Sequence, residues 1–270
     1  MTRINSELKI FFLFWLLILS PTAYCQVVDA DRADDVDTLP KKINCIIGLN
    51  GSADKQKKNL IDGSAVIDLT YKLPKTHILI FKGNSDFTTN GNEFLQNSGY
   101  LHLRLRDDDT RKLSPEYFLQ YQWNGLLGMK SRELIGSNLR WMLLDQTIKN
   151  DLFLGLGVMY ESEIWNYKGV KSIPDYTLYN ETSVSKIRIN QYVKSAIAIN
   201  QNIDFVITNF IQSDIKNILK PRISSNAAFN FKMMKHMGVS LNFESMYDLN
   251  PVVPIDKFIY SIKLQLNIVI

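Results

Sequence analysis

The sequence predicts an all-β protein, a closed antiparallel transmembrane β-barrel of about 12 strands. Apolar and polar residues alternate with a period of two along most of the chain, as side chains on the two faces of a β-strand do. The chain begins with an export signal, and after it no apolar run reaches the about 18 residues that a membrane-spanning helix needs. If the mature protein spans a membrane, it must therefore do so as a closed barrel.

The clearest alternation runs from Pro115 to Glu163, which we interpret as three consecutive membrane-facing strands. One face of each strand is apolar and carries aromatic residues, whereas the other carries amides, charges and glycines. The apolar positions are Tyr117, Leu119, Tyr121, Trp123 and Leu127, then Ile135, Leu139, Trp141 and Leu143, then Leu152, Leu154, Leu156, Val158 and Tyr160. A soluble β-sandwich also alternates in this way, so the rest of the chain must decide between the two folds.

The N-terminus has the order of a secretory signal peptide. Arg3 and Lys9 precede the apolar run at residues 10–19, and the small-residue site at residues 23–25 follows it. We predict a signal peptide over residues 1–25, cleaved before Gln26; lipidation of Cys25 is the alternative. Export of this kind predicts an outer-membrane location in a Gram-negative cell for a barrel.

Residues 26–41 form an acidic stretch, and residues 42–270 form the predicted barrel. The stretch contains Asp29, Asp31, Asp34, Asp35 and Asp37 but lacks the spaced glycine and terminal glutamate of a calcium loop, so we interpret it as a solvated periplasmic leader. The net charge of +4 is too small to indicate a nucleic-acid partner. Cys45, among isoleucines, is expected to be an inert apolar side chain.

Connections along the barrel are predicted to alternate in length. Short turns are expected near Pro74, Asp108, Gln146, Gln201 and His236. Long loops are expected at residues 83–97, at residues 166–181 and near Val252, with moderate loops near Lys55, Ser131 and Lys216. Short periplasmic turns and longer outer loops are typical of bacterial outer-membrane barrels.

The polar faces of these strands carry charges that a barrel would place in its lumen. The candidate lumen-lining residues are Arg104, Arg106, Arg140, Glu161, Glu163, Arg188, Lys194 and Glu244. We expect the basic residues to face the glutamates across the lumen. A salt-bridged plug is favoured over a narrow path for a small solute or ion, because about twelve strands enclose limited width.

Three short motifs resemble a known family. They are Gly136-Ser-Asn-Leu-Arg140, Leu154-Gly-Leu-Gly157 and the pair Tyr160-Glu161. The chain resembles the YdiY-like salt-induced outer-membrane proteins, domain-of-unknown-function family 481. The resemblance implies an outer-membrane barrel and brings no catalytic residues. It differs at the last residue, where such barrels often have an aromatic side chain and this chain has Ile270.

No catalytic, cofactor-binding or metal-ligating constellation emerges from the sequence. The three histidines, His77, His102 and His236, are scattered, and none forms the His-x-Ser pairing of barrel lipases or the spacing of a metal site. Gly155-x-Gly157 lacks the lysine and helix of a phosphate loop. We therefore expect structural histidines, no enzyme activity and no cofactor.

The sequence leaves three hypotheses. The first is a non-enzymatic outer-membrane barrel, linked to envelope stress or to small-solute passage, whose partners are outer-membrane lipids, lipopolysaccharide and the barrel-assembly machinery. The second is a secreted soluble β-sandwich or lipocalin-like binding protein. The third is a barrel lipid hydrolase.

Overall fold

The structure, a computed structural model, describes residues 42–55, 58–74, 77–107, 111–144, 150–167 and 181–269. Twelve strands close into one antiparallel barrel, each pairing with its neighbours in sequence and β12 pairing with β1. The strands are β1 (Ile43–Lys55), β2 (Asn59–Lys72), β3 (His77–Asn90), β4 (Glu93–Asp107), β5 (Leu113–Asn124), β6 (Met129–Leu144), β7 (Asn150–Asn166), β8 (Glu181–Ala198), β9 (Ile203–Asp214), β10 (Asn217–Met234), β11 (Met237–Asp248) and β12 (Phe258–Val269). The fold class and the strand number predicted from the sequence are confirmed.

The predicted alternation separates an apolar exterior from a polar interior. On β5, Tyr117, Leu119 and Tyr121 face outward and are about half exposed, whereas Gln120 and Gln122 face inward and are buried. The same division holds on β4, β6 and β7, as the sequence predicts. In the described ranges, no helix is long and apolar enough to cross a membrane.

The strand β1 closes the barrel through a short seam. It pairs with β12 only from Ile46 to Leu49, opposite Val269 to Leu266, whereas β7 and β8 pair along the whole of β7. Beyond Leu49, the Asn50 side-chain amide donates to the Leu264 carbonyl at 3.0 Å and so bridges the two strands. Among the described residues, closure therefore rests on fewer paired residues than any other junction between neighbouring strands.

Two predicted irregular segments are strands. Residues 83–97, expected to be a loop, continue β3 and β4 and turn at residues 91–92, where Gly91 has a φ of 64°. Ser131, near which a moderate loop is expected, lies inside β6. Both predictions are wrong because polar composition was interpreted as a break, whereas in a barrel one face of each strand is polar throughout.

Both described ends of the chain lie at one rim of the barrel, called here the terminal rim. The connection at residues 249–257, at the opposite rim, is long as predicted, but residues 91–92 and 215–216 there are tight turns. The predicted loop at residues 166–181 lies almost wholly outside the described residues, as do the signal peptide and the acidic leader. Only a few connections at the opposite rim are thus longer than those at the terminal rim.

Candidate functional site: the charged lumen

The lumen gathers the ionisable side chains that the sequence singled out. All eight predicted lumen-lining residues lie on the inward face, where seven are at most 5% exposed and Glu244 is partly buried. The alternation of side chains along a strand explains the placement, because each residue is separated by an even number of positions from buried neighbours on its own strand. Burying so many charges is stable only if they are paired with one another or hydrogen-bonded.

One group of paired charges, called here the arginine–carboxylate network, lies toward the opposite rim. It contains Arg132, Glu161, Glu163, Arg188, Arg222 and Asp248, from five strands. Arg222 donates from Nη1 to Glu161 and Glu163, at 2.9 Å each, and from Nε to Asp248 at 2.8 Å. Three arginines and three carboxylates balance in charge, so the network can fill the lumen without a counterion.

The remaining members bind the same two glutamates. Arg132 lies 2.6 Å from Glu161 and 3.2 Å from Glu163, and Arg188 forms an ion pair with Glu161. Trp165 donates its indole N–H to Glu163 at 3.2 Å. Each glutamate therefore accepts from several donors held on different strands, which fixes these side chains in one arrangement.

A second group of charges centres on Glu116, which is fully buried on β5. Tyr192 reaches it from β8 and donates its hydroxyl at 2.8 Å, while Arg104 and Arg140 approach it to 3.9 and 3.5 Å. The Arg140 guanidinium stacks over the Phe153 ring at 3.5 Å. Arg104 and Arg140 thus lie beside Glu116, a partner that the sequence prediction did not include.

Two glycines on β7 make room for these contacts. A Cβ atom at Gly155 would lie 1.9 Å from the Tyr192 ring, and one at Gly157 would lie 1.9 Å from the Ser137 carbonyl oxygen. Tyr192 can cross to Glu116 because Gly155 has no side chain. The glycines of the Leu-Gly-Leu-Gly motif therefore allow other groups to pack closely against β7 in the lumen.

The loop at residues 249–257 folds inward over the network, and we call it the lumenal lid. Val253 is 1% exposed and packs with Met129 and Trp165. Ile255 of the lid and Leu127 of the β5–β6 connection contact this cluster and a second one that includes Tyr192 and Phe210. Apolar side chains thus cover the charged lumen toward the opposite rim.

The two sides of the lumen are filled to different extents. Among the side chains around His102, Phe118 and Gln212, a cavity of about 20 Å³ remains. A cavity of about 100 Å³ lies between β1–β4 and β9–β12, called here the side cavity. Its charged and polar lining consists of Asp68, Lys82, Asn84, Tyr100, Asn226, Asn242, Glu244, Lys263 and Gln265.

Several residues of the lumen were missed in the sequence. Glu116, Arg132, Arg222 and Asp248 are separated by an even number of positions from inward neighbours on their own strands, but Asp248 is the last residue of β11 and Arg132 lies next to Ser131, where a loop is expected. Asp86 was assigned to a loop. The alternation of β5, β10 and β11, extended by one residue, places Glu116, Arg222 and Asp248 on the inward face. Arg132 and Asp86 are found only if β6 and β3 are recognised as continuing through polar segments.

The histidines take part in local contacts. His77 lies 2.6 Å from Asp107, and His102 contacts Gln120 at 3.1 Å and stacks on Phe118. Arg106 donates to the Asp107 carbonyl at 3.0 Å. Within the described part of the chain, no cluster of three or more His, Cys, Asp or Glu side chains could hold a metal ion.

Comparison with models of known families identifies the family of the chain. The model of the family described as protein of unknown function, DUF481, matches residues 59–268. The chain belongs to this family. The match confirms the resemblance seen in the sequence and spans eleven of the twelve strands of this DUF481 protein, from β2 to β12. None of the curated proteins matches the sequence.

Solved barrels are similar to this DUF481 chain at low identity. The NanC porin is 9% identical with a TM-score of 0.44, covering 84% of this chain and 98% of that one. The translocator domain of the autotransporter NalP from Neisseria meningitidis is 8% identical with a TM-score of 0.45, covering 86% and 89%. The β domain of the Bordetella autotransporter BrkA is 8% identical with a TM-score of 0.39, covering 84% and 98%.

Proposed function

We propose that this DUF481 protein is a non-enzymatic integral barrel of the Gram-negative outer membrane that lets only small ions pass. One observation carries the proposal: the barrel turns an apolar face outward and buries its ionisable groups in a paired lumen. A soluble β-sandwich or lipocalin-like protein would instead bury its apolar face. The export signal predicted over residues 1–25 supports the same location.

The filled lumen supports a restricted passage. The arginine–carboxylate network and the lumenal lid occupy the width that an open porin leaves to water, while the side cavity stays polar and hollow. Outer-membrane lipids and lipopolysaccharide would contact the apolar exterior, and the barrel-assembly machinery would insert it. The link to envelope stress that belongs to the first hypothesis would then act through ion movement across the outer membrane.

Planar-bilayer recording of the detergent-folded protein tests the proposal. We expect small discrete conductance steps that increase several-fold when Arg132→Ala and Glu163→Ala remove a 3.2 Å lumenal ion pair without changing net charge. The matched control removes the Lys130–Glu181 pair at the rim, where both side chains are about half exposed, and should leave the conductance unchanged. A protein that is soluble without detergent would refute the barrel, and a silent folded barrel would refute the passage.

A barrel lipid hydrolase is the alternative class. Replacing His77, His102 and His236 together would abolish a histidine-dependent hydrolysis, whereas we expect the folded protein to release no fatty acid from lipid vesicles before or after this change. Measurable release that disappears in the triple variant would overturn the non-enzymatic proposal.

A further inference from the structure

The side cavity, taken together with Asp86 behind its wall, has an unbalanced set of charges. Lys82 pairs with Asp68 at 2.7 Å, and Lys263 pairs with Asp86 at 2.6 Å. Glu244 is the third carboxylate beside two ammonium groups, and it lies within electrostatic range of both Lys263 and Asp86. Counted as formal charges, the three carboxylates and two ammonium groups sum to one negative charge, in contrast to the neutral arginine–carboxylate network.

Glu244 is placed to accept a ligand from the cavity. Its Oε2 atom is shielded from solvent and has no hydrogen-bond donor among the residues that the structure describes. A buried carboxylate oxygen without a donor is costly while the group is ionised, and a bound cation offsets this cost. No arginine lines the side cavity, and Lys263 is already bound to Asp86.

The neighbours of Glu244 are oxygen-bearing side chains. Asn226 lies directly opposite Glu244 on β10, and Asn242 precedes it by two residues on the same face of β11. Amide and carboxylate oxygens are the ligands that hard cations prefer. The volume of about 100 Å³ exceeds the about 10–15 Å³ that one water molecule requires, so a small ion fits with part of its hydration shell.

We propose that the side cavity binds a small monovalent inorganic cation, with Glu244 as its anionic ligand, and that ions crossing the barrel are selected as cations there. The selection half of this proposal rests on the ion passage proposed above, whereas the binding half does not. The ligand class follows from the single excess negative charge, the oxygen lining and the small volume.

The reversal potential in a KCl gradient at pH 8, where ordinary carboxyl groups are ionised, tests the selection. We expect the wild-type barrel to prefer K⁺ to Cl⁻, Glu244→Gln to bring the permeability ratio towards 1, and Glu244→Lys to invert it. The matched control is Glu133→Gln, which makes the same charge change at an exposed position on the outward face of β6 and should leave the ratio unchanged. Asp86→Asn lowers the same excess charge and gives a second variant if Glu244→Gln does not fold.

Thermal conversion of the folded protein on a gel tests binding separately. KCl should raise the conversion temperature above that in choline chloride of equal ionic strength, because a ligand that binds only the folded state stabilises it. The difference should vanish in Glu244→Gln but persist in Glu133→Gln. The cation site would be overturned, while the passage stands, if both salts had an equal effect or if the ion selectivity did not change in Glu244→Gln. A barrel that conducts no ions but is still stabilised by K⁺ would overturn the passage alone.

Discussion

Arg222 shows how a single residue organises the lumen. It extends from β10 to contact Glu161 and Glu163 on β7 and Asp248 on β11, and its side chain is about 2% exposed. A buried ion pair adds little net stability over an apolar replacement, but removing one partner leaves the other charges buried and uncompensated. The structural role of Arg222 is therefore to fix the positions of three carboxylates.

Arg222→Ala should destabilise the barrel strongly. Three carboxylates lose a donor at 2.8–2.9 Å, and breaking a buried pair of this kind costs about 3–5 kcal/mol. Urea unfolding followed by the change in gel migration measures the loss. Lys130→Ala, at the exposed rim pair, should cost at most about 1 kcal/mol. Equal losses in the two variants would mean that the network contributes no more than a surface ion pair.

Gly157→Ala should also destabilise the barrel. The added Cβ would lie 1.9 Å from the Ser137 carbonyl oxygen, a backbone atom that cannot rotate away, and overpacking of this kind costs about 1–3 kcal/mol. Gly51→Ala is the control, because its Cβ would meet the Asp62 carbonyl oxygen at an ordinary 3.5 Å. A conversion temperature that falls equally in both variants would contradict the steric explanation.

The contrast between correct and wrong predictions at the residue scale has a physical origin. Parity placed Arg188 and Glu161 on the inward face, and the structure joins them. The alternation along one strand does not show which other strand a long side chain reaches. The contact of Arg140 with Glu116 could therefore be found only from the cross-strand register and the space beside Gly155. Strand faces follow from local sequence, whereas partners depend on barrel geometry.

At the scale of elements, the polar hairpin of β3 and β4 marks where sequence reasoning fails. Residues 83–97 contain Asn, Thr, Ser and Gly, which ordinarily indicate a loop. In the barrel, Asp86 faces the lumen and binds Lys263, so the polar residues serve the interior of a continuous strand. The twelve-strand count survived because the error shortened two strands without removing either.

The register of the β1–β12 seam can be tested by disulfide cross-linking. In a Cys45→Ser background, Leu49→Cys and Leu266→Cys place two thiols on directly paired residues, and we expect an oxidant to join them. The disulfide should raise the conversion temperature, because it locks the shortest strand junction. Leu49→Cys with Leu264→Cys, a diagonal pair, should cross-link less completely. Equal yields in the two variants would contradict the register of the seam.

At the scale of the whole molecule, one side of the barrel interior is filled by side chains and the other contains a cavity. The side of the lumen that carries the arginine–carboxylate network is closed by ion pairs and by the lumenal lid, and the other side keeps the side cavity. About twelve strands enclose more than side chains of ordinary length can fill from one wall. Long arginines meeting glutamates across several strands fill the interior without apolar packing.

The positions of the tryptophans give a prediction for the membrane orientation of the whole barrel. Trp141 pairs with Leu113, ten residues from Trp123 along β5, which is about 33 Å along the strand or about 25 Å along the barrel axis at a tilt of about 40°. This span matches the height of the apolar band of outer-membrane barrels, so Trp123 and Trp141 should lie at opposite membrane interfaces, where aromatic girdles occur.

Fluorescence quenching by brominated lipids measures this arrangement in variants that keep only one of Trp123, Trp141 and Trp165. Bromines near the head groups should quench Trp123 and Trp141 more than bromines deep in the acyl chains. Trp165, which is 2% exposed in the lumen, should be quenched by neither and serves as the internal control. Equal quenching of Trp165 and Trp141 would contradict the assignment of the inward and outward faces, and no quenching of any tryptophan would exclude a membrane-spanning barrel.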